Sequence, residues 1–191
     1  MSGVAREFLE AVLLALVVFL VIQTSVQNFK VDGPSMNPTL EHGQFLLVNK
    51  VVYFKIDQER LSRILPFWRV NDDRESFAVH PPERGEVIVF HYPVDPERDF
   101  VKRVIGVPGD RISIQDGTVL VNGAAIPELY ISAHDTSNMP ERKIGRKEYF
   151  VLGDNRPGST DSRKGWNVPE ENILGKVWIV YWPLSSWNLL P

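Results

Sequence analysis

Residues 99–110, DFVKRVIGVPGD, contain the stretch that decides the fold of this chain. Valine, isoleucine and phenylalanine are five of the eight residues 100–107, and proline and glycine then end the run, which is typical of a β-strand followed by a turn. Side chains alternate between the two faces of a strand, so Lys102 lies on one face and Arg103 on the other, each among apolar neighbours. Whichever face is buried, one basic side chain is drawn out of water.

Lys102 is the more informative of these two bases because it can lose its proton, whereas Arg103 stays charged. Removal from water disfavours the ammonium form and lowers the pKa of a lysine, and a neutral amine is a competent general base. The alternative is that the Lys102 side chain extends to solvent or pairs with an acid. The strand pattern alone leaves both interpretations open.

Short runs of β-branched and aromatic residues continue along most of the chain. Two of them, at 111–115 (RISIQ) and 118–121 (TVLV), are joined by an Asp-Gly link, and Asn122-Gly123 follows the second. Two-residue links of this kind tolerate positive φ and predict β-hairpins. Further strands are predicted at 45–53, 86–92, 100–107, 124–126, 149–152 and 176–182. Many short strands separated by turns indicate a mainly β domain, either a barrel or a sandwich.

The composition excludes several classes of protein. Of the 191 residues, 43% are hydrophobic and 24% are charged, which excludes a disordered chain. The 21 Lys and Arg residues stand against 24 Asp and Glu residues, a net charge of −3, so the basic excess of nucleic-acid binders is missing. Cysteine is absent, which excludes disulfides, cysteine nucleophiles and thiolate metal sites.

The amino-terminal part is apolar over residues 8–26, with an unbroken run, AVLLALVVFLVI, at 11–22. A helix of this length reaches about 28 Å, close to the hydrocarbon thickness of a bilayer. A buried core helix would be amphipathic, and a signal peptide would begin with more basic residues than Arg6 alone. We therefore predict a short tail at 1–7, a single retained membrane span at 8–26 and a β-rich domain over 27–191. Basic residues on the two sides of the span are tied, so charge does not give its orientation.

Residues 55–84 interrupt the β pattern and are predicted to form an insertion. Within them, residues 57–68 (DQERLSRILPFW) place apolar side chains at helical spacing, and Pro66 ends or kinks the helix. One interpretation is a short helix packed on the β-domain. The other is a helix that lies on the lipid surface, because arginines stand beside Phe67 and Trp68 in a chain that is anchored nearby.

The sequence contains no HExxH, GxSxG, P-loop or dinucleotide-binding motif. Residues 31–40 (VDGPSMNPTL) offer a candidate nucleophile, because Pro34 and Pro38 hold Ser35 in a rigid turn, away from helix and central strand. A serine held in this way is preorganised for chemistry. The same pattern also fits a serine that only forms a turn.

Taken together, the ordered motifs resemble those of the type I signal peptidases, membrane-anchored serine proteases that remove signal peptides from exported proteins. The resemblance extends along nearly the whole chain. Besides the apolar span, it rests on GPSMNPTL at 33–40, FLLVNK at 45–50, RGEVIVF at 84–90, DFVKRVIGVPGD at 99–110, GDNRPGSTDSR at 153–163 and LGKVWIVYWP at 174–183. It implies a mainly antiparallel β-fold with a coiled, barrel-like core after one transmembrane helix. It also implies a single-pass protein of the cytoplasmic membrane whose catalytic domain is extracytoplasmic.

The resemblance further implies a Ser/Lys dyad, with Ser35 as the nucleophile and Lys102 as the general base. Such a dyad requires neither a histidine nor a metal, so we expect no metal and no cofactor. By the same resemblance, Ser159 would hydrogen-bond to the Lys102 amine and orient it. Asp161 and Arg163 would form a salt bridge that shapes the site.

For the substrate, the resemblance implies small apolar pockets that admit alanine-like side chains next to the cut, with Met36, Phe100 and Val101 lining them. The flanking strands would hold the substrate extended through main-chain hydrogen bonds. One departure from the pattern is Gly33, where many relatives have a serine that donates to the oxyanion. The backbone N–H of Ser35 is then the first candidate donor.

A second departure is Pro157-Gly158, where relatives often have asparagine at the second position; it leaves the conformation of this turn open.

Two other classes of protein share part of the pattern. Self-cleaving repressors with a Ser/Lys pair carry a DNA-binding module in front, and an anchored β-domain without activity would keep the fold alone. We expect exported preproteins and membrane lipid as partners, and no nucleic acid or metal.

Overall fold

The computed structural model describes residues 3–53, 55–56, 76–77, 80–133 and 135–190. The helix predicted at 57–68 and most of the insertion predicted at 55–84 lie outside these residues, so both stay predictions.

The amino-terminal helix α1 spans Gly3–Ser25, and none of its residues is buried. Its most apolar 18-residue stretch has a mean hydropathy of 2.3, and this value and its length of 23 residues suit a membrane span. The helix begins before the span predicted at 8–26 and ends one residue before its last residue, and the bounds of the membrane span itself stay a prediction. Part of the tail predicted at 1–7 is helical, where the Arg6 Nε–Glu10 Oε1 ion pair of 2.7 Å joins successive turns. At the other end, Val26 leaves the helix because it pairs with Asn49 in a β-ladder.

The rest of the described chain is mainly antiparallel β-structure, which confirms the predicted fold class. The strands are β1 (Val26–Lys30), β2 (Phe45–Asn49), β3 (Lys55–Ile56), β4 (Ser76–Phe77), β5 (Val87–Tyr92), β6 (Asp95–Gly106), β7 (Arg111–Gln115), β8 (Thr118–Val121), β9 (Ala124–Ala125), β10 (Met139–Lys143), β11 (Glu148–Leu152), β12 (Val168–Pro169), β13 (Ile173–Trp182) and β14 (Asn188–Leu189). Short 3₁₀ helices occur at Ser162–Lys164, Glu170–Asn172 and Leu184–Ser186.

The strands form three sheets. The eight-stranded sheet has the order β1-β2-β13-β5-β6-β11-β12, with β14 added to β13. The four-stranded sheet has the order β10-β7-β8-β9, and β3 pairs with β4. Strand β6 therefore lies inside the large sheet, between β5 and β11, and it carries the segment from which the fold was first inferred.

Strand β5 shows why this part of the sheet is buried on both faces. Val87 and Val89 pack in one apolar cluster with residues of β2 and β13. Ile88 and Phe90 pack in a second cluster on the opposite face. Strands covered on both sides read as continuous apolar runs, as EVIVF does here. The neighbouring strand β6 pairs with β5 and lies in the same buried part of the sheet.

The two-residue links form the predicted hairpins. Asp116 and Gly117 have φ values of 47° and 79°, and the flanking residues Gln115 and Thr118 pair directly. The Asn122-Gly123 link joins β8 to β9 in the same way. Positive φ at both turn residues matches the right-handed twist of the strands.

Candidate active site

The turn that carries Ser35 lies on the buried core. Asn37 N donates to Pro34 O at 3.1 Å, and Leu40 N donates to Met36 O at 2.9 Å. The side chains of Met36 and Leu40 are fully buried in the cluster beneath β2 and β13. Two apolar anchors thus fix the turn from below, while Ser35 itself stays partly accessible.

Strand β6 brings Lys102 to this serine. The Lys102 Nζ atom lies 2.8 Å from Ser35 Oγ and 2.8 Å from the carbonyl oxygen of Val101. The lysine is only 4% exposed, and its Nζ lies 5.1 Å from the centre of the Phe100 ring. As an ammonium group, Lys102 donates to Ser35; as a neutral amine, it is placed to accept the hydroxyl proton.

The surroundings of Lys102 favour the neutral amine. Burial lowers the pKa of Lys102 from an ordinary 10.5 to about 8, and the carboxylates of Asp161 and Asp154 oppose part of this shift. Desolvation is the larger effect because Lys102 makes no direct ion pair with either carboxylate within the described structure. A substantial fraction of Lys102 is therefore uncharged near pH 8.

Arg103, on the opposite face of β6, is also buried, at 7% exposure. Its Nε and Nη2 atoms donate to the two carboxylate oxygens of Asp154 at 2.9 and 2.6 Å, and Nη1 donates to Gly85 O at 2.7 Å. The guanidinium also lies 4.2 Å from the centre of the Tyr130 ring. Lys102 and Arg103 are thus both buried, but only Arg103 is paired directly with a carboxylate.

Asp161 and Arg163 form the ion pair that the resemblance implies. Arg163 Nε and Nη2 donate to the Asp161 carboxylate at 2.8 and 2.9 Å, and Gly153 N donates to the same carboxylate at 3.1 Å. Asp161 is fully buried, so this pairing satisfies its charge. Arg163 also binds Asp135 and donates to Arg156 O at 2.6 Å.

Ser159 lies beside the nucleophile turn but does not bind Lys102. Its hydroxyl is buried and has no hydrogen-bond partner among the described residues. A Cβ atom placed on Gly153 would stand 2.3 Å from Ser159 Oγ and 2.5 Å from Ser35 O. The Ser159 hydroxyl and the Ser35 carbonyl therefore both pack against Gly153. The hydroxyl of Ser159 thus lies near the turn that carries Ser35, with its hydrogen-bonding capacity unused among the described residues.

The three residues expected in the substrate pockets have different surroundings. Met36 is fully buried, and the half-buried Val101 packs against the same apolar cluster. Phe100 packs against the cluster on the other face, where its ring stacks on Tyr92 with centroids 4.4 Å apart. The structure thus brings Met36 and Val101 together and gives Phe100 a separate support.

Gly33 has φ +86°, and its N–H donates to His42 Nδ1 at 3.1 Å. The N–H of Ser35, in contrast, makes no hydrogen bond to any described part of the chain. It is therefore a backbone donor beside the Ser35 hydroxyl that no described group occupies.

Comparison with known proteins identifies the family. The family model described as signal peptidase, peptidase S26, matches residues 5–182. A signal peptidase I from Bacillus caldolyticus is 34% identical over 83% of this chain and 81% of its own length. A probable signal peptidase I-2 from Synechocystis is 33% identical over 84% and 81%, and a signal peptidase I from Pseudomonas fluorescens is 33% identical over 87% and 69%.

The chain belongs to the signal peptidase S26 family. It is accordingly a serine endopeptidase, and its apolar helix α1 fits the membrane anchor of these enzymes. The solved structure of a signal peptidase I from Enterococcus faecalis V583 is 28% identical to it, covers 52% of this chain and 99% of that one, and has a TM-score of 0.45.

In this S26 signal peptidase, two residues that support the site were not predicted from the sequence. Asn155 binds the turn that carries Ser35 through its main chain and its side chain. Arg156 is buried, donates to Gly153 O at 3.1 Å and pairs with Glu128. Both residues lie in the GDNRPGSTDSR segment, but nothing in their spacing indicates which distant groups they bind.

Proposed function

We propose that Ser35 is the nucleophile and Lys102 the general base in the cleavage of signal peptides from exported preproteins. The observation that carries this proposal is the 2.8 Å approach of Lys102 Nζ, on a side chain that is only 4% exposed, to Ser35 Oγ. A pKa of about 8 gives Lys102 a useful neutral fraction near neutral pH.

The reaction proceeds in two acyl-transfer steps. The neutral Lys102 amine accepts the Ser35 proton while Oγ attacks the scissile carbonyl carbon. The resulting ammonium group then protonates the leaving amine as the C–N bond breaks. In the second step Lys102 takes a proton from water, the hydroxide attacks the ester, and Ser35 regains its proton. The free hydroxyl of Ser159 is suited to orient the amine during these transfers.

The tetrahedral intermediates place negative charge on the former carbonyl oxygen. The Ser35 N–H, which binds no described group, is the proposed donor to this oxyanion. Loss of one such donor typically raises the barrier by about 3 kcal/mol. Gly33 has no side chain to assist, so the hole depends on backbone groups.

We infer cleavage after small residues of the Ala-X-Ala kind. Strand β11 pairs with β6 only at Arg103 and beyond, so the earlier part of β6 leaves one edge available for an extended substrate. Val101 and Met36 pack beneath this edge, and Phe100 lies beside it, held by Tyr92. Close packing at these positions favours small side chains over large ones.

We further propose that α1 anchors the enzyme in the cytoplasmic membrane with the β-domain on the outer face. In this arrangement the site meets the preprotein as it leaves the bilayer. Three exposed tryptophans support contact between the β-domain and lipid, because tryptophan prefers the membrane interface. They are Trp178, Trp182 and Trp187, which are 46%, 53% and 58% exposed.

The test is cleavage of a purified preprotein, with the cut site mapped by mass spectrometry. We expect Ser35→Ala and Lys102→Arg to abolish cleavage while both variants keep the thermal transition of the wild type. Arginine preserves the charge but cannot give up its proton, so it tests the base role. Near-normal turnover by Lys102→Arg would contradict that role, and activity of Ser35→Ala would contradict the proposed nucleophile.

A further inference from the structure

Asn155 holds both carbonyl groups that flank the nucleophile. Its main-chain N–H donates to Ser35 O at 3.1 Å. Its side-chain Nδ2 donates to Pro34 O, also at 3.1 Å, across 121 residues of sequence. One residue from a distant loop therefore fixes the two successive peptide groups on either side of the Ser35 Cα atom.

The bonds to Pro34 O, from Asn155 Nδ2 and from Asn37 N at 3.1 Å within the turn, together set where the Ser35 N–H points. The carbonyl of Pro34 and the N–H of Ser35 belong to one planar peptide unit, which is trans here. The two bonds in such a unit point in opposite directions, so a donor that fixes the carbonyl also fixes the N–H. The Ser35 N–H is the group that the proposed mechanism assigns to the oxyanion.

Gly158 gives the Asn155 side chain the space it occupies. Gly158 N donates to Asn155 O at 3.1 Å and closes a tight turn through Pro157. A Cβ atom on Gly158 would stand only 2.7 Å from Asn155 Nδ2 and 3.1 Å from its Cγ. The Pro157-Gly158 departure found in the sequence thus has a physical role in this chain, since a larger residue at 158 would push the amide aside.

We propose that Asn155, with the space provided by Gly158, is a positioning residue that aims the Ser35 N–H at the oxyanion. This inference rests on the proposed function of Ser35 and Lys102. Asn155 acts through the backbone and has no direct role in proton transfer. Its removal therefore lowers the rate of the chemical step but leaves the titration of Lys102 and the binding of ground-state substrate unchanged.

The experiment compares Asn155→Ala with the wild-type full-length enzyme in detergent, using a signal-peptide substrate. We expect kcat to fall at least about tenfold, because small misplacements of catalytic groups are costly, with KM and the midpoint of the pH profile unchanged. A peptide aldehyde, whose carbonyl adds the Ser35 hydroxyl to form a hemiacetal, should lose affinity by a similar factor. Binding of the uncleaved peptide should be equal in Ser35→Ala with and without Asn155→Ala.

The matched control is Asn172→Ala. Asn172 Nδ2 donates to the carbonyl of His91 at 3.0 Å, a bond of the same type outside the dyad, and its loss should leave kcat unchanged. Gly158→Ala is a second test that keeps every polar group. It should lower kcat in the same direction, and the double variant with Asn155→Ala should show no further loss.

Three outcomes would overturn the inference. These are an unchanged kcat in both Asn155→Ala and Gly158→Ala, a loss confined to KM, or a shifted pH midpoint. If Asn155→Ala does not fold, Gly158→Ala decides alone by the same criteria. Failure of this inference can be distinguished from failure of the proposed function. Only failure of the proposed function would appear as continued cleavage by Ser35→Ala.

Discussion

Lys102 derives its chemistry from its position in the interior of a sheet. Burial lowers its pKa to about 8, although Asp161 and Asp154 act in the opposite direction. The neutral fraction therefore increases as the pH rises through about 8, and protonation at lower pH removes the base.

We accordingly expect log(kcat/KM) to increase with pH along an acidic limb with its midpoint near the pKa of Lys102, about 8. The measurement is a pH–rate profile on a peptide substrate. Lys176→Arg serves as the control, because Lys176 pairs with Glu86 at 2.9 Å and lies outside the dyad; it should keep the same limb. A profile that is flat from about pH 6 to about pH 10 would exclude Lys102 as the base, provided that chemistry limits this parameter.

Among the secondary-structure elements, the β7–β8 hairpin contains a glycine with two constraints. Gly117 has φ +79°, and a Cβ atom there would stand 1.8 Å from the carbonyl oxygen of Asp135. Gly123 has a similar φ of +83° but no atom within 4 Å of its Cβ position. The pair therefore separates the cost of backbone strain from the cost of a steric clash.

We expect Gly117→Ala to lower the free energy of unfolding by about 1–3 kcal/mol more than Gly123→Ala does, because overpacking adds to the strain that both share. Urea unfolding of the two variants, followed by tryptophan fluorescence, measures this difference. Equal destabilisation would show that the loop carrying Asp135 moves away at no cost. Because Asp135 also binds Arg163, such movement should be visible as reduced activity.

The elements that the sequence predicted correctly are those fixed by local chemistry. The Asp116-Gly117 turn and strand β7 need only positive φ and alternating side chains, and both were predicted at the right residues. Strands β1 and β10 were missed because they are polar, and their structure comes from pairing with β2 and β7. Pairing partners of this kind leave little trace in the paired sequence itself.

The same distinction holds within the site. Ser35 and Lys102 were predicted from the resemblance, and the strand pattern gave a reason for the burial of a base on β6. The pattern did not show that Arg103 would be buried as well, since this requires Asp154 on another strand's exit loop. Asn155 was missed for a similar reason, because its partners are defined only by the folded chain.

At the scale of the whole molecule, three exposed tryptophans of the described chain belong to the part of the large sheet that follows the membrane anchor, through β1, β2 and β13. Helix α1 continues directly into β1, and β1 is separated from β13 only by β2. Trp178 and Trp182 lie on β13, and Trp187 immediately precedes β14. We propose that these side chains reach the lipid headgroups when α1 spans the membrane, because tryptophan prefers the membrane interface.

We expect brominated lipids to quench these tryptophans in the reconstituted full-length enzyme. A background with Trp68→Phe removes the signal of the predicted 57–68 helix. In that background, replacing Trp178, Trp182 and Trp187 with Phe should abolish most of the quenching. Trp166, which packs on Phe90 and Tyr92, remains as the internal reference. If the quenching of the triple variant equals that of its parent, the β-domain does not rest on the bilayer.

The neighbours of β2 impose an order on biosynthesis. One edge of β2 pairs with β1, next to the anchor, and the other pairs with β13, which is synthesised only after both members of the dyad. A nascent chain that ends before residue 173 would contain Ser35 and Lys102. It would lack β13, so one edge of β2 and one edge of β5 would have unpaired backbone groups. Such a truncated product should be a poor protease and a good substrate for quality control, so the enzyme cannot act while it is still being translated.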